Sequence, residues 1–146
     1  MKSVLSILSC VFLVAIIAAP AASQSLDLPE KTLNGEVSQD IRNTAVMKAL
    51  TSQPKAVLVY AKGLCCPSCS IGVRKKVSPL KFVDADKPDS GVQIDAKNQL
   101  VVIAVKPGVS IDMKALKEAI DDAGYPPVHL YSMNKGQLIT KAFATK

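Results

Sequence analysis

The chain has 146 residues, 49% of them hydrophobic, with three Tyr, three Phe and no Trp. Its net charge of +6 is mild and scattered, and Arg74-Lys75-Lys76 is its one basic cluster. Nucleic-acid binders usually cluster their bases and interleave aromatics, so this composition argues against a nucleic-acid partner and for one small domain with additions.

Met1 and Lys2 precede an almost unbroken apolar run from Val4 to Ala19, and the small residues Ala21, Ala22 and Ser23 follow. A charged start, an apolar middle and a small-residue end predict a secretory signal peptide over residues 1–23, cut before Gln24 or just after Ala21. An uncleaved anchor is the alternative, because the apolar run is almost long enough to span a bilayer. Cys10 sits in a faint lipoprotein-like box too early in that run, and is expected to leave with the signal. Export, to a periplasm, is the expected location, with membrane anchoring if the signal stays. The mature chain keeps 17 basic and 12 acidic residues, a charge of +5.

Residues 24–54 read as a polar linker or lead-in arm, with turn signals at Leu28-Pro29 and Asn34-Gly35. A short helix is expected from Ser38 to Leu50, capped by Ser38, with Ile41, Ala45, Val46, Ala49 and Leu50 on one face.

The pattern sharpens over residues 55–133. Ala56-Val57-Leu58-Val59-Tyr60 is a short apolar, β-branched run that predicts a buried strand. Ser70 to Leu80 spaces Ile71, Val73, Val77 and Leu80 as a helix does, and Pro67 suits a first helical turn. After an irregular stretch, Gly91 to Asp95 and Leu100 to Val105 predict a hairpin. Ser110 is the expected cap of a helix over Ile111 to Ala123, which Gly124 ends. Val128 to Tyr131 is a last short strand. Residues 134–146 read as a tail, in which Gln137 to Thr140 can add an edge strand. The order β-α-β-β-α-β predicts an α+β, ferredoxin-like sandwich: an antiparallel sheet with two helices on one face.

Gly63-Leu64-Cys65-Cys66-Pro67-Ser68-Cys69 places three of the four cysteines within five positions. Exported domains usually pair cysteines far apart, which closes long loops. These close almost nothing, which points to chemistry, with a plain Cys66–Cys69 disulfide as the alternative, since oxidising compartments close exposed dithiols. Cys66 and Cys69 fall where the first strand hands over to the first helix. Free backbone N–H groups and the positive end of the helix dipole favour thiolate there. Two thiolates suit soft ions content with near-linear coordination, such as Cu(I) or Hg(II). Zinc ordinarily demands four ligands. The chain has a single His, His129, and no second cysteine pair, which argues against a closed zinc site. Met47, Met113 and Met133 are dispersed and read as packing residues.

Those seven residues resemble the metal loop of heavy-metal-associated domains, the family of small copper chaperones and the periplasmic mercury-binding protein. Ala119-Ile120-Asp121-Asp122-Ala123-Gly124-Tyr125 resembles the end of that family's second helix, and Tyr125-Pro126 its mercury-binding branch. The likeness covers about Lys55 to Met133. It implies Cys66 and Cys69 as metal ligands, with Gly63, Leu64 and Tyr125 around the ion. It also implies a membrane metal transporter or another metal-accepting protein as partner to a monomeric, non-enzymatic carrier. Three departures stand out. Leu64 replaces a usual Met. Cys65 stands where Thr is usual, as a candidate third ligand or relay. The segment from Lys81 to Gln93 is several residues longer than usual.

Two other functions fit the same residues. A strand, Cys66-Pro67-Ser68-Cys69 and a helix also describe a thioredoxin-like oxidoreductase, with Pro107 as a candidate site-facing proline. A sensing module would use the metal only to alter docking through residues 24–54. Separately from these, Arg74, Lys75 and Lys76 read as a solvated helix face or as a docking patch for an acidic partner that would make transfer salt-sensitive.

Overall fold

The computed structural model describes residues 35–144. The expected signal peptide, Cys10 and the start of the lead-in arm lie outside the described residues, as do the last two positions. The fold is α+β. Helix α1 (Gln39–Ser52) leads into strand β1 (Ala56–Ala61) and helix α2 (Pro67–Val77). Strands β2 (Val92–Asp95) and β3 (Leu100–Ala104), helix α3 (Met113–Asp121), and strands β4 (Pro127–Asn134) and β5 (Gln137–Ala142) follow. The five strands form one antiparallel sheet in the order β2-β3-β1-β4-β5.

β1 is buried along its whole length because both faces of the sheet are covered. Successive side chains of a strand point to opposite faces. Val57, Val59 and Ala61 join Val73 and Val77 of α2 and Leu116 and Ile120 of α3 in one core. Ala56, Leu58 and Tyr60 join Val46 and Leu50 of α1 in a second. An apolar residue at every position, where a half-exposed strand would alternate, is the sequence mark of that double burial.

The helix expected within the lead-in arm is present, and it covers the opposite sheet face from α2 and α3. Its apolar face includes Val46 and Leu50, both without exposed surface, and also the buried Arg42. Ser38 holds the N-cap position but makes no side-chain cap. α3 starts later than expected: Asp112 caps it, accepting from the N–H groups of Lys114 and Ala115, both at 3.0 Å. A carboxylate that satisfies two free amides outcompetes the Ser110 hydroxyl. α2 begins at Pro67, the proline expected in its first turn, and the cysteine motif therefore straddles the helix start. β4 is longer than its apolar core because β1 pairs one edge and β5, from the expected tail, pairs the other.

The long segment after α2 is pinned to the sheet. Val83 bridges Val105, the Asp84 N–H donates to Ala104 O at 2.9 Å, and the Lys106 N–H donates to Phe82 O at 2.9 Å. Its length leaves the β2–β3 hairpin in regular register, with Val92 opposite Ile103 and Asp95 opposite Leu100.

Candidate functional site

The cysteine loop hangs between β1 and α2. At its start the Ala61 N–H donates to Gln99 O and the Lys62 N–H to Pro126 O, both at 3.1 Å. The chain then turns: the Leu64 N–H reaches Ala61 O at 3.4 Å, and Gly63 takes φ +82. A side chain is strained in that left-handed region, which is why glycine stands there. Leu64 has no exposed surface and packs in the core with Val73 and Val77. Burying a leucine contributes on the order of 1.5–3 kcal/mol, enough to hold a short loop down.

Beyond this anchor the chain returns to the surface. Cys65 is exposed with a free thiol. Cys66 is the N-cap of α2 in extended conformation, and the Cys69 N–H donates to Cys66 O at 3.2 Å. Cys66 and Cys69 are half-buried, and their sulfurs are joined in a disulfide across Cα atoms 5.3 Å apart. Cys66 Sγ also lies 3.4 Å from Ser68 Oγ. The first turn of α2 carries no acidic residue, so no carboxylate there opposes the positive helix end.

Tyr125 approaches from α3. Its N–H donates to Ile120 O at 3.2 Å, and its half-buried side chain packs on the core that also receives Cys69. The next residue, Pro126, takes the Lys62 N–H, so the Tyr125 loop and the base of the cysteine loop are joined through backbone. Cys65, next to Cys66 in the chain, stays outside the bridge as a free thiol, and among the described residues no group of three or more His, Cys, Asp and Glu side chains is assembled to hold a metal ion. His129 pairs with Tyr60 on the α1 side of the sheet, whereas Leu64 and Cys69 pack on the other. Its buried Nδ1 has no hydrogen-bond partner among the described residues.

Of the basic cluster after the loop, Arg74 is committed to the fold. Its Nε donates to Val92 O at 3.1 Å and its guanidinium pairs with Asp89 at 3.2 Å. Lys76 lies 3.6 Å from Asp122. These ties leave Lys75 as the freest charge of the three.

Periodicity did not reveal a polar strap beside the loop. Residues 35–37 are fastened by three side chains: Gln99 Nε2 donates to Gly35 O at 2.8 Å, Arg42 donates to Val37 O at 3.1 Å, and Lys62 pairs with Glu36. The Glu36 carboxylate raises the pKa of Lys62, the residue just before Gly63. Arg42 lies four residues before Val46, on the expected apolar face of α1. That spacing was its one sequence signal.

Comparison of the chain with known protein families, with curated proteins and with solved structures found no match. Among the described residues no helix is long and apolar enough to cross a membrane.

Proposed function

We propose that the chain is an exported, non-enzymatic carrier of a soft metal ion, Cu(I) or Hg(II), gripped by the reduced Cys66–Cys69 pair. The observation that carries this reading is the placement of two half-exposed sulfurs at the start of α2, on a loop anchored from below by Leu64. A thiol of the surroundings first opens the disulfide. Two electrons and two protons enter the chain as Cys66 and Cys69 thiols, and the donor thiols leave as a disulfide. The ion then displaces the two protons and is held between two thiolates. Release follows by ligand exchange, in which a thiolate of a metal-accepting protein or membrane transporter adds to the ion as one local sulfur leaves. An exposed loop permits that attack.

The element order supports a ferredoxin-like arrangement. Strands β1 to β4 with α2 and α3 between them follow β-α-β-β-α-β, and α1 and β5 are additions at its face and edge. The likeness of the loop and of the Tyr125 segment to heavy-metal-associated domains supports the same assignment, and the apolar amino-terminal run supports export.

The test is anaerobic competition of the reduced chain against chelators of graded strength, read by native mass spectrometry. One ion per chain is expected, with tight binding lost in Cys66→Ser and in Cys69→Ser. Unchanged affinity in both variants overturns the proposal.

The disulfide itself favours a second reading, a thiol-disulfide oxidoreductase. Two features weigh against it. Pro107 lies with Pro54 and Ala56 at the start of β1, whereas the cysteine loop follows its end. Every strand pairing among the described residues is antiparallel, which leaves no parallel β-α-β unit of the thioredoxin kind. Catalytic turnover in an insulin-reduction assay would restore this reading.

A further inference from the structure

We propose that a groove at the opposite end of the sheet from the cysteines binds a small amphipathic carboxylate: an apolar body on an alanine floor, with its anionic end between Lys55 and Lys87. The groove measures about 590 Å³, inside the range of about 300–1,000 Å³ usual for small-molecule sites.

The floor is hollow for a reason visible in the register. Ala56 of β1 faces Ala104 of β3, and Val102 lies beside them. Strands favour β-branched and aromatic side chains, which would fill this position. The alanine pair leaves space that α1 does not fill, because the chain turns at Gln53 and Pro54 to enter β1.

The outer wall is preformed. Gly91 takes φ +75, and a Cβ there would lie 2.3 Å from Asp84 O, so the wall closes onto itself only with glycine. Asp89 and Ser90 just before it also hold left-handed conformations, at φ 56 and φ 54. Two successive non-glycine residues in that region are costly, and such strain concentrates at functional sites. One side of the groove is spanned by the Gln53 amide, which donates to Gln93 Oε1 at 3.3 Å.

Charge selects the ligand. Lys55 and Lys87 are exposed on the lining, and neither is in an ion pair among the described residues. Asp84 is the one carboxylate of the lining. The balance favours a monoanion with an apolar tail over a neutral or cationic molecule of the same size. The Cys66–Cys69 pair takes no part, since β1 separates the two ends.

The experiment is titration of the ¹⁵N-labelled chain with decanoate, decanol and decyltrimethylammonium, each below its micelle threshold, followed by amide shifts. Saturable shifts at Ala56, Val102 and Ala104 are expected with decanoate. Decanol should bind about tenfold more weakly, the value of one charged contact, and the ammonium weaker still. Ala104→Leu fills the floor and should abolish the shifts. If that variant does not fold, the Lys55→Glu/Lys87→Glu chain decides: it should weaken decanoate about tenfold and leave decanol unchanged. Cys66→Ser/Cys69→Ser should bind decanoate as the parent does, which separates this site from the metal reading. Equal binding of decanoate and decanol, or no saturable shift at the three floor amides, overturns the proposal.

Discussion

The guanidinium carbon of Arg42 lies 3.7 Å from the centre of the Tyr60 ring. This contact joins α1 to the strand that delivers the cysteine loop. Arg42 is 7% exposed and also donates to Val37 O, so it holds the strap as well as the sheet. A desolvated cation over a ring contributes about 2 kcal/mol. Arg42→Ala should lower unfolding free energy by about 2–4 kcal/mol in urea titrations, since packing of the side-chain stem is lost with the charge. Arg42→Met keeps the volume and tests the charge together with its hydrogen bond to Val37 O. A methionine variant as stable as the parent would show that the cation contributes nothing net.

The same pair sets an alkaline limit. Burial raises the pKa of Tyr60 above its ordinary 10.0, against the opposing pull of Arg42. Between the unfolded and folded pKa values the folded chain holds the proton more tightly. The resulting stability is complete below about pH 10 and fades as pH rises through the folded pKa. Lys62 acts in the same direction through Glu36. Stability measured from neutral to strongly alkaline pH should fall late. Tyr60→Phe should remove part of that fall, and an unchanged curve in this variant would assign it to other groups.

Three glycines should respond in different ways to alanine. Gly91→Ala drives a Cβ into Asp84 O in a left-handed backbone, and should cost more than about 3 kcal/mol or prevent folding. Gly63→Ala meets open space, so it should cost only the left-handed strain, about 1–2 kcal/mol. Gly72 lies inside α2 with open space around it and no left-handed φ. Alanine there should stabilise by about 0.5–1 kcal/mol. Thermal or urea melts of the three variants should rank them in that order.

Thiol accessibility should follow the loop geometry. Under non-reducing conditions iodoacetamide should label Cys65 alone among the described cysteines, and Cys66 and Cys69 only after reduction. The bridge closes four residues, for which chain entropy gives about 2 kcal/mol. Reduction should therefore lower the melting temperature modestly without unfolding the chain. Peptide mass spectrometry and a paired melt check both outcomes, and cooperative unfolding on reduction would make the bridge a structural staple.

The metal loop should divide its cysteines by role. Cys65→Ser is expected to change Cu(I) affinity by less than about tenfold, since Cys65 is an exposed thiol outside the Cys66–Cys69 bridge. A loss as large as that of Cys66→Ser would make it a third ligand.

Local pattern was enough to mark most of the elements. The apolar run at β1, the spacing of Leu116 and Ile120, the glycine stop at Gly124 and the clustering of Cys65, Cys66 and Cys69 are all properties of short windows. Periodicity and backbone preference act over such windows. The amino-acid order also singled out Leu64 and placed the cysteine pair at a strand-to-helix junction. What only the tertiary structure decided was which surfaces meet. It laid α1 on the second face of the sheet, buried Arg42 against Tyr60, extended β4 by pairing it with β5, and moved the cap of α3 to Asp112. It also set Ala56 opposite Ala104 and closed the disulfide. The α1 packing, the Arg42–Tyr60 contact and the alanine pair join residues from distant positions, where burial and the pairing of polar groups outweigh local preference, whereas the Asp112 cap, the β4–β5 pairing and the Cys66–Cys69 bridge join near neighbours in sequence.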